Sequence, residues 1–247
     1  MTRWAPFLLA SVLAAWATSA RAQPLVTDIS DHLVAITSSY TGTELLLFGA
    51  LDGAGGDIVV VVRGPEERMT VRRKDRVFGI WANAEMLTFR AVPSFYAVAA
   101  SRPVDEIAPT RTLARLQIGA ANLRLSSIGT ADEATAKSFR EALIRLKTAN
   151  ELYQEQAGRV AFLGNQLFRT RVKLPSNVPI GTYTAEVYLF RGGNVVAAQT
   201  TPLFVNKLGF ERAVYDWAHR NPLIYGLAAV LIALLAGWIA AIAFRKT

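Results

Sequence analysis

Between residues 33 and 100 the chain alternates short runs of β-branched and aromatic residues with turn residues, at intervals of about eight to twelve positions. This spacing predicts a β-sandwich or a barrel. One run, from Ile58 to Val62, has no polar alternation, so we expect a central strand that is covered on both faces. Residues 68–73 do alternate, which predicts a strand with one face in water. The predicted strands cover residues 33–37, 44–50, 57–63, 68–73, 77–81, 86–92 and 95–100.

A helical pattern interrupts the strands at residues 106–158. Within it, residues 132–157 place apolar side chains such as Phe139 and Leu143 along one helical face. Thr130 and Glu133 have the spacing of a capping box, and Gly158 is a residue type that ends helices. Strand patterns then resume at residues 160–163, 168–174, 183–190 and 195–205.

These elements predict a mainly β fold made of immunoglobulin-like β-sandwich units. We expect one unit at residues 23–105 and a second β unit at 159–207, joined by the helical insertion. A single sandwich that contains all the strands is the alternative, because periodicity does not decide which strands pair.

The two ends of the chain have a different character from the middle. Residues 1–22 contain Arg3, an apolar run and a small-residue site that ends at Ala22, which together predict a cleaved signal peptide. Residues 222–244 contain no ionisable side chain and are long enough for a transmembrane helix. Residues 208–221 predict a juxtamembrane amphipathic segment, and the basic tail at 245–247 predicts a cytoplasmic C-terminus. We therefore expect a single-pass protein of the inner membrane with its body in the periplasm.

Composition changes this picture little. The net charge of +8 comes from 27 basic and 19 acidic residues, but four of the basic residues lie in the signal peptide and the tail. The excess over residues 23–222 is then +4, so we do not expect nucleic acid as a partner. The chain has no cysteine, which excludes thiol nucleophiles and cysteine-bound metals. We predict no cofactor.

Few residues have the pattern of a catalytic or metal site. Asp28, Asp31 and His32 could form an acid–base or metal site, although a polar turn is the simpler interpretation. Asp52 and Asp57 bracket a glycine loop that could hold Ca²⁺, but it is more typical of a hairpin turn. Without a recognisable catalytic motif, we predict that the protein is not an enzyme, and a hydrolase is the least favoured hypothesis.

Two surface patterns are candidates for binding. A basic group within residues 63–76 could attract an anion, an anionic lipid surface or a protein partner, or it could simply be the solvated face of a strand. A stripe of small residues in the C-terminal helix would allow close approach of another membrane helix, either from a partner or from a second copy. The basic group comprises Arg63, Arg68, Arg72, Arg73, Lys74 and Arg76, and the stripe comprises Ala229, Ala233, Gly237 and Ala241.

Several segments taken together resemble a family of transmembrane proteins found in alphaproteobacteria. They are Phe48-Gly49-Ala50 and the stretches DIVVVVRGP at 57–65, RRKDRVFGIWAN at 72–83, VPSFYA at 92–97 and LPSNVPIGTY at 174–183. The resemblance implies export and one C-terminal span, with no established activity and no functional residues to transfer. It also implies a possible membrane-protein partner, a permease similar to sulfite exporters.

The leading hypothesis is therefore a membrane-anchored periplasmic β-sandwich protein that acts as a non-catalytic accessory or interaction subunit of an inner-membrane transport or envelope complex. The alternative is a periplasmic anion-binding module that feeds a transporter.

Overall fold

The computed structural model describes residues 25–53, 55–77, 79–129, 131–207, 215 and 217–244. The predicted signal peptide, most of the juxtamembrane segment, Thr130 and the basic tail lie outside these residues. The strands are β1 (Leu25–Ile29), β2 (Leu33–Ile36), β3 (Gly42–Leu51), β4 (Asp57–Arg63), β5 (Glu66–Val77), β6 (Ile80–Pro93), β7 (Tyr96–Ala100), β8 (Ser126–Ile128), β9 (Gly158–Arg159), β10 (Ala161–Leu163), β11 (Leu167–Pro175), β12 (Gly181–Arg191) and β13 (Asn194–Lys207). The helices are α1 (Val104–Ile107), α2 (Thr110–Leu116), a 3₁₀ turn (Ala120–Asn122), α3 (Glu133–Ala149) and α4 (Pro222–Phe244).

Two sheets form a sandwich. The first sheet has the order β1-β3-β11-β10, and the second has the order β2-β13-β12-β4-β7-β9. Alternate residues of the strands point inward, so Leu45 and Leu47 of the first sheet share a buried core with Val60, Val187 and Leu203 of the second. β3 pairs with β11 and β4 pairs with β12, so strands from both sides of the helical insertion belong to one sandwich. The β segments at 23–105 and 159–207 are thus not separate units.

β4 is the central strand that the apolar run predicts. Its residues Ile58 to Val62 are buried on both faces. Val60 contributes to the core between the sheets, whereas Val59 and Val61 contribute to a second core under the helices. Phe139 and Leu143 of α3 are buried in that second core, so the helical insertion forms a layer over the second sheet.

The predicted strand at 77–81 is wrong, because these residues span the turn between β5 and β6. Gly79 has a φ of +82°, which a tight hairpin turn requires. β5 and β6 therefore form one hairpin of 12 and 14 residues, and β8 pairs only with residues 88–90 at its base. Among the side chains that the structure describes, Val71 and Leu87 are the last buried pair of this hairpin. We call residues 72–86, which extend beyond that pair, the arm.

α3 begins and ends differently from the prediction. Its N-cap is Asp132, whose side chain accepts a hydrogen bond from the Thr135 backbone N–H. The helix ends at Ala149 and does not continue to residue 157. The backbone N–H groups of Leu152 and Tyr153 both donate hydrogen bonds to the carbonyl of Lys147. The resulting turn places the Tyr153 side chain in the second core.

The mainly β fold with one C-terminal apolar helix is confirmed, and β1 is a strand that the sequence pattern missed. The strand order corresponds to the ABED and GFC sheets of an immunoglobulin domain, with β1, β3, β11 and β10 in the first sheet and β13, β12 and β4 in the second. Tyr183, near the start of β12, donates a hydrogen bond of 2.6 Å to the Pro179 carbonyl, as a tyrosine corner does. The immunoglobulin-like description stays an interpretation based on these two features.

Candidate functional site

Arg63 does not belong to the exposed basic group. Its guanidinium contacts Glu186 on the neighbouring β12, with an Nη1–Oε2 distance of 2.7 Å. Its other terminal nitrogen donates to the carbonyls of Leu116 and Gln117, at the C-terminal end of α2. Arg63 therefore joins the second sheet to the helical layer, and its charge is neutralised within the body.

The pleat of β5 separates the remaining cations into two sets. Arg73 pairs with Glu85, which is opposite it on β6, at 2.8 Å. Its guanidinium lies 5.9 Å from the centre of the Phe139 ring of α3. Arg72, Lys74 and Arg76 occupy alternate positions of β5 and therefore share the other face of the arm. Among the residues that the structure describes, these three form no salt bridge. Arg68 is exposed near the base of the hairpin.

Large apolar side chains accompany these cations on the arm. Ile80 is 72% exposed, Trp81 is 64% exposed and Met86 is 71% exposed. The strand register places Trp81 directly opposite Arg76 and Met86 directly opposite Arg72. The Arg76 guanidinium lies 5.5 Å from the centre of the Trp81 ring, which is a cation–π distance. The arm thus combines a cationic line with an exposed apolar tip.

A cleft of about 360 Å³ lies between β5 and α3. Val71 and Phe139 supply apolar lining. The charged residues of the lining are Arg72, Arg73, Lys74, Arg145 and Glu141. Arg73 is already paired with Glu85, whereas Arg72 and Lys74 form no salt bridge among the described residues. The cleft is therefore a concave surface at which several of the predicted basic residues meet α3.

The outer face of the first sheet carries a row of apolar residues that the sequence analysis missed. In the strand register Val26 is opposite Ala50, Ala50 is opposite Leu167, and Leu167 is opposite Leu163. Val26, Leu167 and Leu163 are each about half exposed. We call these four residues the apolar row. The missed signal is the unbroken apolar run of β3 from residue 45 to 51, since a strand with apolar residues on both faces normally has both faces covered.

A buried lysine is the second feature that the sequence analysis missed. The Lys147 side chain is 3% exposed, and its Nζ lies 2.5 Å from Oε1 of Glu67, which is 39% exposed. Nζ also donates to the Ser94 carbonyl at 3.2 Å. This ion pair joins the last turn of α3 to the base of the β5–β6 hairpin. Its lysine is enclosed in the body while its glutamate reaches solvent, and the pair holds these two elements together.

Buried tyrosines reinforce the same layer. The Tyr96 hydroxyl donates to the Gln117 carbonyl and accepts from the Gly119 N–H, and the Tyr153 hydroxyl donates to the Pro93 carbonyl. Burial raises the pKa of Tyr96 to about 12 and raises the pKa of Tyr153 as well. Both groups remain protonated near neutral pH and act as hydrogen-bond donors.

The predicted acid–base and calcium residues lie in strands and in the turns beside them: Asp28 is in β1 and Asp57 begins β4, whereas Asp31, His32 and Asp52 lie outside the strands. His32 Nε2 is 3.1 Å from Asp28 Oδ1, and both side chains are exposed. Asp31 accepts a hydrogen bond from the neighbouring Ser30 hydroxyl. Asp57 is bound by the Arg102 guanidinium through both carboxylate oxygens, which leaves it less available to a cation. Within the described ranges, no three His, Asp or Glu residues group as metal ligands.

α4 carries the predicted stripe of small residues. Its members are four positions apart and therefore lie along one ridge of the helix: Ala229, Ala233, Gly237 and Ala241. α4 has a mean hydropathy of 2.4 over residues 222–242, and none of this span is buried against the body. The helix is long enough to cross a bilayer. Whether another helix packs on the small-residue ridge stays a prediction.

Within the described residues, a mainly β body and one exposed apolar helix define the class of the protein, a β domain for which α4 is the candidate membrane anchor. The family described as "Putative transmembrane protein (Alph_Pro_TM)" matches residues 24–246, and the chain belongs to this family of alphaproteobacterial proteins. The predicted resemblance is thereby confirmed. Neither the curated proteins nor the solved structures give a significant match to the chain.

Proposed function

We propose that this protein is a membrane-anchored interaction subunit, whose body is held in the periplasm by α4 and binds another protein of the inner membrane or envelope. The observation that carries this proposal is the apolar row on the outer face of the first sheet. An antiparallel sheet with one face in water normally presents polar side chains there. A contiguous apolar row is instead typical of a surface that a partner covers.

The surroundings of the row support a protein partner. The next row of the same face contains Asp28, Phe48 and Arg169 in register, so a half-exposed aromatic ring is bordered by charges of both signs. An apolar centre with a polar border is the usual composition of a protein–protein interface. Such an anchored subunit would have an accessory role in a transport or envelope complex. In this arrangement α4 would pack on a helix of the partner through its small-residue ridge.

The test is a pair of substitutions in the row, Val26→Ser together with Leu167→Ser, in the full-length protein in native membranes. Burying the exposed half of each side chain contributes about 1 kcal/mol, so the double variant should weaken the complex by about thirtyfold. The measurement is the yield of chemical crosslinks to the body, followed by identification of the crosslinked protein by mass. We expect one dominant product in the wild type and its loss in the variant.

The matched control is Arg171→Ser with Lys173→Ser, which changes two exposed residues on the same face of β11. It should leave the crosslinked product unchanged, and both variants should keep the thermal midpoint of the wild type because none of the four side chains is buried. A wild-type protein that yields only uncrosslinked monomer, or a product that survives the row variant, would contradict the proposal.

The anion-binding alternative is weaker than the sequence suggested. Arg63 and Arg73 are each paired with a carboxylate, so two of its six predicted residues are already neutralised. Arg72, Lys74 and Arg145 all line the cleft beside β5 and are the residues that favour it.

A further inference from the structure

The arm presents a different surface from the apolar row. On one face Arg72, Lys74 and Arg76 follow each other at about 7 Å intervals along β5. Ile80 and Trp81 begin β6 directly after the turn, so the part of the hairpin farthest from the body is apolar. In total the arm carries four cations and two carboxylates, and one of these carboxylates, that of Glu85, is already paired with Arg73.

This combination matches the chemistry of an anionic bilayer surface. Tryptophan favours the headgroup region, where its ring is partly buried and its N–H remains hydrated. Each Lys or Arg near an anionic surface adds about 1 kcal/mol of attraction. Arg76 stacks on Trp81 through one face of its guanidinium, so its N–H donors stay available for phosphate oxygens.

The covalent connection keeps the arm near such a surface. Residues 208–221 separate the end of β13 from the start of α4, and about 14 residues span at most roughly 50 Å. The base of the β5–β6 hairpin lies toward the same end of the second sheet. Arg63 at the end of β4 is in register with Thr184, which is in register with Pro202, five residues before the end of β13. β5 begins three residues after Arg63, so the hairpin that carries the arm starts at the end of the sheet from which the chain leaves for the membrane.

We propose that the arm docks on the anionic surface of the membrane that holds α4, with Ile80 and Trp81 in the headgroup region and Arg72, Lys74 and Arg76 on lipid phosphates. The body then has two attachments, one through α4 and one through the arm. The second attachment fixes the orientation of the body over the bilayer, and it does not depend on a partner at the apolar row.

The experiment uses the full-length protein in lipid nanodiscs. Because the chain has no cysteine, a single Asn83→Cys variant carries one environment-sensitive fluorophore on the arm and leaves both tip residues intact. Asn194→Cys carries the same fluorophore on the β12–β13 turn, at the opposite end of the second sheet. Nitroxide-labelled lipid chains quench a fluorophore only when it lies in the membrane. In nanodiscs containing phosphatidylglycerol we expect strong quenching at position 83 and little at position 194.

Charge and apolar contributions are separated by two variants in the Asn83→Cys background. Replacing Arg72, Lys74 and Arg76 with Gln should lower the docking equilibrium constant about a hundredfold, since each cation contributes a factor of about five. Trp81→Ser should lower it about tenfold or more. The matched control replaces the same number of cations, Arg169, Arg171 and Lys173, with Gln on the first sheet and should leave quenching unchanged.

Quenching at position 83 should also fall in phosphatidylcholine nanodiscs and at high salt, while added inorganic phosphate at equal ionic strength should have no further effect. The proposal is overturned if position 83 is quenched no more than position 194, if the triple Gln variant docks as well as the wild type, or if free phosphate releases the arm. Protection of position 83 by a crosslinked protein without lipid quenching would assign the arm to a protein partner and would overturn it as well.

Discussion

The ion pair between Lys147 and Glu67 predicts an asymmetric response to mutation. Lys147 is enclosed, whereas Glu67 reaches solvent with more than a third of its side chain. Glu67→Ala leaves a buried ammonium with the Ser94 carbonyl as its remaining hydrogen-bond acceptor. Removing one partner of a buried pair costs about 3 kcal/mol or more, so this variant should be strongly destabilised.

Lys147→Met should cost less, although it removes the buried partner. Methionine keeps most of the apolar stem, and the Glu67 carboxylate can be hydrated because it is partly exposed. The remaining cost is the unpaired Ser94 carbonyl, about 1 kcal/mol. The double variant contains no buried charge and should resemble Lys147→Met, which gives a coupling energy of about 3 kcal/mol between the two positions.

Urea unfolding of the detergent-solubilised protein, followed by the circular dichroism of the strands, measures these free energies. The exposed pair between Lys173 and Glu151, with an Nζ–Oε2 distance of 3.8 Å, is the matched control, and Glu151→Ala should cost less than about 0.5 kcal/mol. The reasoning is refuted if Glu67→Ala is milder than Lys147→Met, or if the double variant costs the sum of the two single variants.

Two further predictions concern stability. Tyr183→Phe removes the donor to the Pro179 carbonyl and should lower the free energy of unfolding by about 1 to 2 kcal/mol in the same urea assay; an unchanged value would exclude a stabilising tyrosine corner. Hydrogen bonds from Arg102 hold the pKa of Asp57 below its usual range. The ionised carboxylate therefore stabilises the folded state at pH values above its unfolded pKa, and this stabilisation is lost as the pH falls through the folded pKa. The stability difference between wild type and Asp57→Asn should therefore be present at neutral pH and vanish well below about pH 4, and a difference independent of pH would contradict the assignment.

Local patterns determined the strands and the anchor. The Ile58 to Val62 run predicted a strand buried on both faces, because such a strand has no polar side to present to water, and β4 has that environment. The apolar stretch at 222–244 likewise predicted α4, because a helix of this length without charges is favourable only in an apolar surrounding. Alternation in residues 68–73 also predicted which side chains of β5 face the body.

Errors arose where a local sequence pattern is compatible with more than one backbone conformation. Residues 77–81 have the composition of a strand, yet Gly79 turns the chain so that they join two longer strands. The helical pattern after Ala149 was overridden because Tyr153 packs in the second core. In both places a contact or turn beyond the local period decided the backbone.

The sequence by itself determined the mainly β class, the central strand, the basic segment and the apolar C-terminal helix, since each depends on a period or a length that a few consecutive residues carry. Only the tertiary structure decided that strands from both sides of the helical insertion share one sandwich. It also decided that Arg63 and Arg73 are neutralised while Arg72, Lys74 and Arg76 form a line, and that four strands align the apolar row. Strand pairing and ion pairing join residues far apart in the chain, and the choice among many possible partners is made by packing of the whole core, which no local pattern encodes.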